Sequence, residues 1–206
     1  RLNNDFWDEN SEKEHSLYVG SYGRDTETKT SDIDMLFWLP YEKYLQYNSY
    51  SGNGQSALLQ DIKESIEKTY SQTDIKADGQ VVVIDFSDGI CFEVVPCFEN
   101  SDDSFKHPNS NNGGSWKRTD PRPEIKTIKD KNNEWNKNLK RLCRMARAWK
   151  DEHSVPMGGL LIDTFAHNFL ESWEYNNKSY SHYHWMIRDF FEYLKNQNKE
   201  QKYWYA

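Results

Sequence analysis

The chain has 206 residues, 36% hydrophobic, 15% aromatic and 29% charged, with a formal net charge of −7. That is enough chain for one large domain or two lobes sharing a core, with too many aromatics for a disordered segment. No run of about 18 apolar residues could span a membrane, and the acidic balance excludes sequence-blind nucleic-acid binding by the whole surface, leaving room only for a local basic groove. Three cysteines, Cys91, Cys97 and Cys143, are an odd number without metal-type spacing and point to a reducing, cytoplasmic setting. Arg1 stands first and no signal-type segment follows, so an upstream stretch is expected to be missing.

In chain order, Leu2, Phe6 and Trp7 fall near helical spacing and read as the tail of a helix. Leu17 and Val19 mark a short strand ending at Gly20, followed by a polar stretch to Thr30. Ile33 and the apolar run Met35 to Leu39, closed by Pro40, read as a buried strand. Leu58, Leu59, Ile62, Ile66 and Tyr70 share one helical face, with Ser56 as the expected N-cap. Val81 to Phe86 and Ile90 to Pro96 are β-branched runs joined by Ser87-Asp88-Gly89, a hairpin. Asn100 to Asn133 is rich in Asn, Ser, Asp, Gly and Pro and reads as a long excursion. Three helices follow, with apolar faces at Leu139/Leu142/Cys143/Ala146/Trp149, at Leu160/Leu161/Phe165/Phe169/Trp173, and at Met186/Ile187/Phe190/Phe191/Leu194. The expected organisation is α+β: a catalytic lobe over 1–100, a connecting excursion over 101–135 and a helical lobe over 136–206, incomplete at its C-terminus.

Asp32 and Asp34 stand at i, i+2 ahead of an apolar strand, so both carboxylates share one face with Cα atoms roughly 6–7 Å apart. Carboxylates that close repel each other, and a divalent cation relieves the repulsion; hard oxygen donors suit Mg²⁺ or Mn²⁺. An isolated D-x-D is most often a solvated strand end. Here Gly20-Ser21 lies upstream, a pair whose backbone can approach a phosphate closely and whose hydroxyl and N–H groups can hold it. Glu93 sits within the apolar run Phe92-Glu93-Val94-Val95-Pro96, where an unpaired charge is costly, and is the third candidate ligand; Asp85 competes with it. Lys140, Arg144, Arg147 and Lys150 recur along one helix and form either a solvated face or a phosphate-reaching stripe. His182 and His184 lack the further ligands of a zinc site. Tyr203, Trp204 and Tyr205 suit packing better than base stacking.

Gly20-Ser21-Tyr22-Gly23-Arg24, Ser31-Asp32-Ile33-Asp34 and Phe92-Glu93-Val94-Val95-Pro96, in that order, resemble the DNA polymerase β-like nucleotidyltransferases. Within these, the chain is most similar to the bacterial cGAS/DncV-like enzymes of CBASS anti-phage systems, whose catalytic domain is called SMODS. Arg147-Ala148-Trp149-Lys150 and Gly158-Gly159 resemble the second lobe of that family.

The resemblance implies a mixed or antiparallel sheet bearing the carboxylates, a helical lobe, and a nucleotide cleft between them. It implies that Gly20 and Ser21 hold a donor triphosphate, that Asp32, Asp34 and Glu93 hold two Mg²⁺ or Mn²⁺ ions, and that Arg147 or Lys150 reaches the phosphates, with Thr164 adding a hydroxyl. The product implied is a cyclic di- or trinucleotide made from NTPs (ATP, with GTP or UTP as further substrates), read by a downstream effector, with RNA or protein as activator. Glu93 departs from the family, which usually has Asp there. The rival expectations are RNA tailing, protein AMPylation, or a nucleotide- or RNA-binding sensor with a weakened site.

Overall fold

The computed structural model describes residues 1–29, 32–198, 200, 201, 203 and 204; Thr30, Ser31 and Tyr205, named above, lie outside the described residues. The chain divides into two compact units, one of Arg1–Gly20 with Asp32–Arg122 and one of Ser21–Ser31 with Pro123–Ala206.

The first unit is built on seven strands: β1 (Ser16–Tyr18), β2 (Ile33–Trp38), β3 (Asp74–Asp78), β4 (Val81–Asp85), β5 (Cys91–Glu99), β6 (Phe105–Asn109) and β7 (Ser115–Thr119). The main path runs β1-β2-β5-β4-β3, with β6 on the end of β5 and β7 on β6. β2 and β5 are parallel; every other pairing among the described residues is antiparallel. The sheet is therefore mixed, because a long crossover separates β2 from β5 while tight turns join β3 to β4 and β4 to β5. Two apolar layers flank β2 and β5. Phe37, Val94 and Phe98, with Met35 and Phe92, pack into the larger cluster, while Leu36, Trp38, Val95 and Cys97 pack into a smaller one with Phe105. Apolar contacts on both faces explain why β2 reads in sequence as a continuous apolar run.

Helix α1 (Leu2–Trp7) precedes the strands, the short helix α2 (Gly20–Arg24) follows β1, and helices α3 (Tyr41–Asn48) and α4 (Gly54–Glu67) lie between β2 and β3. α4 buries Leu58, Leu59, Ile62 and Ile66 in the larger cluster, each worth about 1.5–3 kcal/mol. Its N-cap is Asn53, whose side chain accepts the Ser56 N–H at 2.9 Å. Ser56, the expected cap, is thus a first-turn residue, because the helix already begins at Gly54.

Gly54 is there for space: a Cβ at this position would lie 1.9 Å from the Tyr47 carbonyl oxygen. Gly54→Ala should therefore cost about 1–3 kcal/mol despite the better helix propensity of Ala. Urea unfolding checks this against Gly52→Ala, where an added Cβ meets nothing within 4 Å.

Residues 101–135, expected as a connecting excursion, instead form the β6–β7 hairpin and helix α5 (Arg122–Glu134). The Asn- and Gly-rich composition accounts only for the tight turn at Asn111–Gly113, and β7 is largely exposed, so its sequence lacks the apolar alternation of a half-buried strand. α3 and β3 are likewise additions to the elements expected from sequence.

The second unit contains α6 (Asn138–Glu152), α7 (Gly159–Ser172) and α8 (Tyr183–Lys195), the three helices expected from periodicity. Leu139, Leu142, Cys143, Ile162, Ala166, Leu170, Met186 and Phe190 form its core with Ile128 and Trp135, which α5 and the turn after it supply. Trp204 packs its ring 5.2 Å from Phe165, whereas Tyr203 is exposed. None of the described helices is long and apolar enough to cross a membrane.

Candidate active site

The parallel register of β2 and β5 sets Asp34 directly opposite Glu93. Paired residues of neighbouring strands point to the same face, so the two carboxylates share one face of the sheet, and Asp32 stands two residues ahead of Asp34, just before β2 begins. Burial and the charges of Asp34 and Asp32 push the Glu93 carboxyl above the ordinary glutamate range. Glu93, which the sequence leaves in competition with Asp85, thus feels both aspartates.

Gly20 closes on the same group. Its φ is +57°, in the left-handed region, and a Cβ added there would sit 1.8 Å from Asp34 Oδ2. The preceding residue, Val19, donates its N–H to the Asp34 carbonyl at 2.9 Å. Glycine is therefore required twice over, by conformation and by space.

Asp85 takes a different position. It faces Cys91 across the β4–β5 hairpin, whereas Val83 is the β4 neighbour of Glu93. Its carboxylate is 46% exposed and lies 3.7 Å from Lys76 Nζ. Burial, a hydrogen bond with Asp85 and the charges of Asp32, Asp85 and Glu93 push the Cys91 thiol up to about 12, which disfavours its thiolate.

Among the described residues no three His, Cys, Asp or Glu groups are drawn together into a metal-holding cluster. The donor set nonetheless fits a hard divalent cation: it is all carboxylate oxygen, and the mutual repulsion recorded in Glu93 is what such a cation would relieve.

The remaining expected residues lie in the second unit. Ser21, next after Gly20, is buried, and its carbonyl accepts the Thr26 N–H at 2.9 Å. Arg147 is not a free cation for phosphate. It is 9% exposed and grips Asp163 through Nε at 2.9 Å and Nη2 at 2.7 Å. Lys150 is paired with Asp151 at 2.6 Å. Lys140 and Arg144 both hold Asp25, at 2.8 and 2.5 Å, and Arg144 also reaches Glu27. The basic stripe is thus tied to carboxylates within its own unit. Thr164 lines a recess of about 260 Å³ with Arg24, Glu124 and Asp163.

Asp163 is the residue that sequence reasoning missed. Only 1% exposed, it accepts Arg24 Nε at 2.9 Å and Thr26 Oγ1 at 2.8 Å besides the two bonds from Arg147, while Arg24 Nη1 reaches Glu124 at 2.7 Å. An acid inside the apolar run Leu160-Leu161-Ile162-Asp163-Thr164-Phe165 was the available signal. Gly159 has a matching cause, since a Cβ there would lie 2.3 Å from Arg147 Nη1, whereas a Cβ at Gly158 would meet nothing within 4 Å.

The Second Messenger Oligonucleotide or Dinucleotide Synthetase domain, SMODS, matches residues 1–132. The chain belongs to this family. This SMODS chain is 24% identical over 145 residues to a "Probable cyclic nucleotide synthase IK1_05630" of Bacillus cereus (strain VD146), which takes in 67% of the chain and 42% of that relative. It therefore spans less than half the length of the curated relative it matches. Among solved structures it is similar to the Elizabethkingia meningoseptica CdnE cyclic dinucleotide synthase with GTP and Apcpp, at 17% identity and a TM-score of 0.64, covering 88% of this chain and 70% of that one. It is also similar to the Vibrio cholerae DncV cyclic AMP-GMP synthase, at 16% identity and a TM-score of 0.65, covering 87% and 50%. At these identities the likeness shows the fold alone.

Proposed function

We propose that the chain carries the catalytic carboxylates of a metal-dependent nucleotidyltransferase that joins nucleoside triphosphates into a cyclic di- or trinucleotide. The observation that carries this reading is the placing of Asp34 opposite Glu93, with Asp32 two residues ahead and Gly20 packed against Asp34 Oδ2. Membership of the SMODS family and the names of its relatives support it.

In this reading Asp32, Asp34 and Glu93 would hold two Mg²⁺ or Mn²⁺ ions. When bound, such ions offset the charge of the triphosphate and lower the cost of deprotonating a ribose hydroxyl. The chain's own contribution is placement. The parallel register holds two carboxylates on neighbouring strands, and Gly20 brings backbone without a side chain against them, leaving Ser21 next in line for the donor phosphates. A ribose hydroxyl attacks the α-phosphorus, a phosphodiester forms, the α–β anhydride bond breaks and pyrophosphate leaves, with the hydroxyl proton released to water. Lys150 is the better phosphate candidate of its helix, since a 2.6 Å pair to an exposed Asp151 exchanges readily, whereas Arg147 is enclosed by Asp163. The family resemblance supports a role in anti-phage defence and a cytoplasmic setting as part of this reading.

Incubation with α-labelled NTPs and Mg²⁺, phosphatase treatment and thin-layer chromatography test the proposal. A phosphatase-resistant small-molecule product that disappears in Asp32→Ala/Asp34→Ala is expected. Label ending on RNA or on protein instead would assign the chain to tailing or AMPylation. Nucleotide binding without any product would assign it to a sensor.

A further inference from the structure

At the other end of β2 and β5 a recess of about 250 Å³ opens among Trp7, His15, Trp38, Tyr41, Phe98 and Glu99. Trp38 is four residues along β2 from Asp34, roughly 13 Å at strand spacing, so this recess is separate from the carboxylates. Its walls are fixed. The Trp7 ring stacks on His15 with centroids 3.8 Å apart and planes 6° apart, while Trp38 stands at 82° to His15. The Trp7 and Trp38 ring planes are therefore close to perpendicular. Trp7 Nε1 donates to the Trp38 backbone carbonyl at 3.0 Å, and His15 Nδ1 lies 2.9 Å from Asn3 Oδ1, which holds the Trp7–His15 stack in place. Tyr41, 61% exposed, stands at the recess, and Glu99 supplies a carboxylate, with Oε1 2.6 Å from Arg122.

We propose that this recess binds a methylated ammonium group of the trimethylammonium kind. Aromatic faces attract cations through the ring quadrupole, most strongly for Trp; Glu99 is shared with Arg122, so the rings carry the attraction. Shape decides against a nucleobase: a flat base stacks best on parallel faces, and these walls meet near a right angle, which suits a compact, nearly spherical group. The volume lies below the roughly 300–1,000 Å³ of pockets for drug-sized ligands, so a head group or a single side chain is the scale of the occupant. The chemistry is shared by a free choline-like metabolite and by a trimethylated lysine of a partner protein.

The test is a titration of the protein at pH 8 followed through its indole N–H resonances. Choline should give saturable shifts, and 3,3-dimethylbutan-1-ol, its uncharged isostere, should bind about tenfold more weakly. Tyr41→Ala, at an exposed position, should weaken choline several-fold and Glu99→Gln less so, both leaving the circular dichroism melt unchanged. A trimethyllysine peptide binding more tightly than choline, with the unmodified peptide silent, places the source in a partner protein; choline binding more tightly than the peptide places it among free metabolites. Equal affinity for choline and its isostere, no saturation at tens of millimolar, or indifference to both substitutions would overturn the proposal.

Discussion

Asp163→Ala should lower the stability of the helical unit by about 3–5 kcal/mol, the range for removing one partner of a buried ion pair. The reason is what remains behind. Arg24 and Arg147 are 5% and 9% exposed, and this one carboxylate accepts from both guanidinium groups and from the hydroxyl of the fully buried Thr26. Ala would leave two desolvated cations with Glu124 alone to answer Arg24. In a chain of this size the loss should appear as a fall in Tm of about 6–20 °C by circular dichroism. Arg144→Ala is the control. It removes half-exposed pairs with Asp25 and Glu27 and should cost only about 0–1 kcal/mol. Equal losses for the two variants would mean that Asp163 does not anchor this network.

Gly20→Ala should reduce nucleotide synthesis by about a hundredfold or more in a protein that still folds. The left-handed φ alone costs an alanine about 1–2 kcal/mol, but the larger effect is local. A methyl 1.8 Å from Asp34 Oδ2 forces the carboxylate or the turn to shift, and a displacement of about 1 Å at reacting groups can cost about a hundredfold in rate. Gly79→Ala separates the two causes. Gly79 has φ +60°, yet its added Cβ would meet nothing closer than 3.5 Å. It should lose stability and keep activity. If both variants kept full activity, the Gly20 turn would have no part in the chemistry.

Much of this arrangement is legible in the sequence because its signals are local. The i, i+2 spacing of Asp32 and Asp34, the apolar run of β2 and the Ser87-Asp88-Gly89 turn each depend on a few neighbouring residues. So do the periodic faces of α4, α6, α7 and α8. What escapes depends on distant partners. The pairing of Asp34 with Glu93 needs the β2–β5 register, and no local rule sets a parallel register across more than fifty residues of crossover. Arg147 resembles a phosphate ligand in sequence because a cation on a helix says nothing about an acid sixteen residues on that encloses it. β7 and α5 read as a connection because exposed elements carry little apolar pattern, and turn-forming Asn and Gly dominate that stretch.

The most direct test of the proposed three-carboxylate metal site is a calorimetric Mn²⁺ titration of the wild type, Glu93→Gln and Asp85→Asn in parallel. Glu93→Gln is expected to weaken Mn²⁺ at least tenfold, as losing one of three carboxylate ligands should, while Asp85→Asn binds like wild type. Unchanged binding in Glu93→Gln, or a loss confined to Asp85→Asn, would contradict the assignment of Asp32, Asp34 and Glu93 as one metal-holding set.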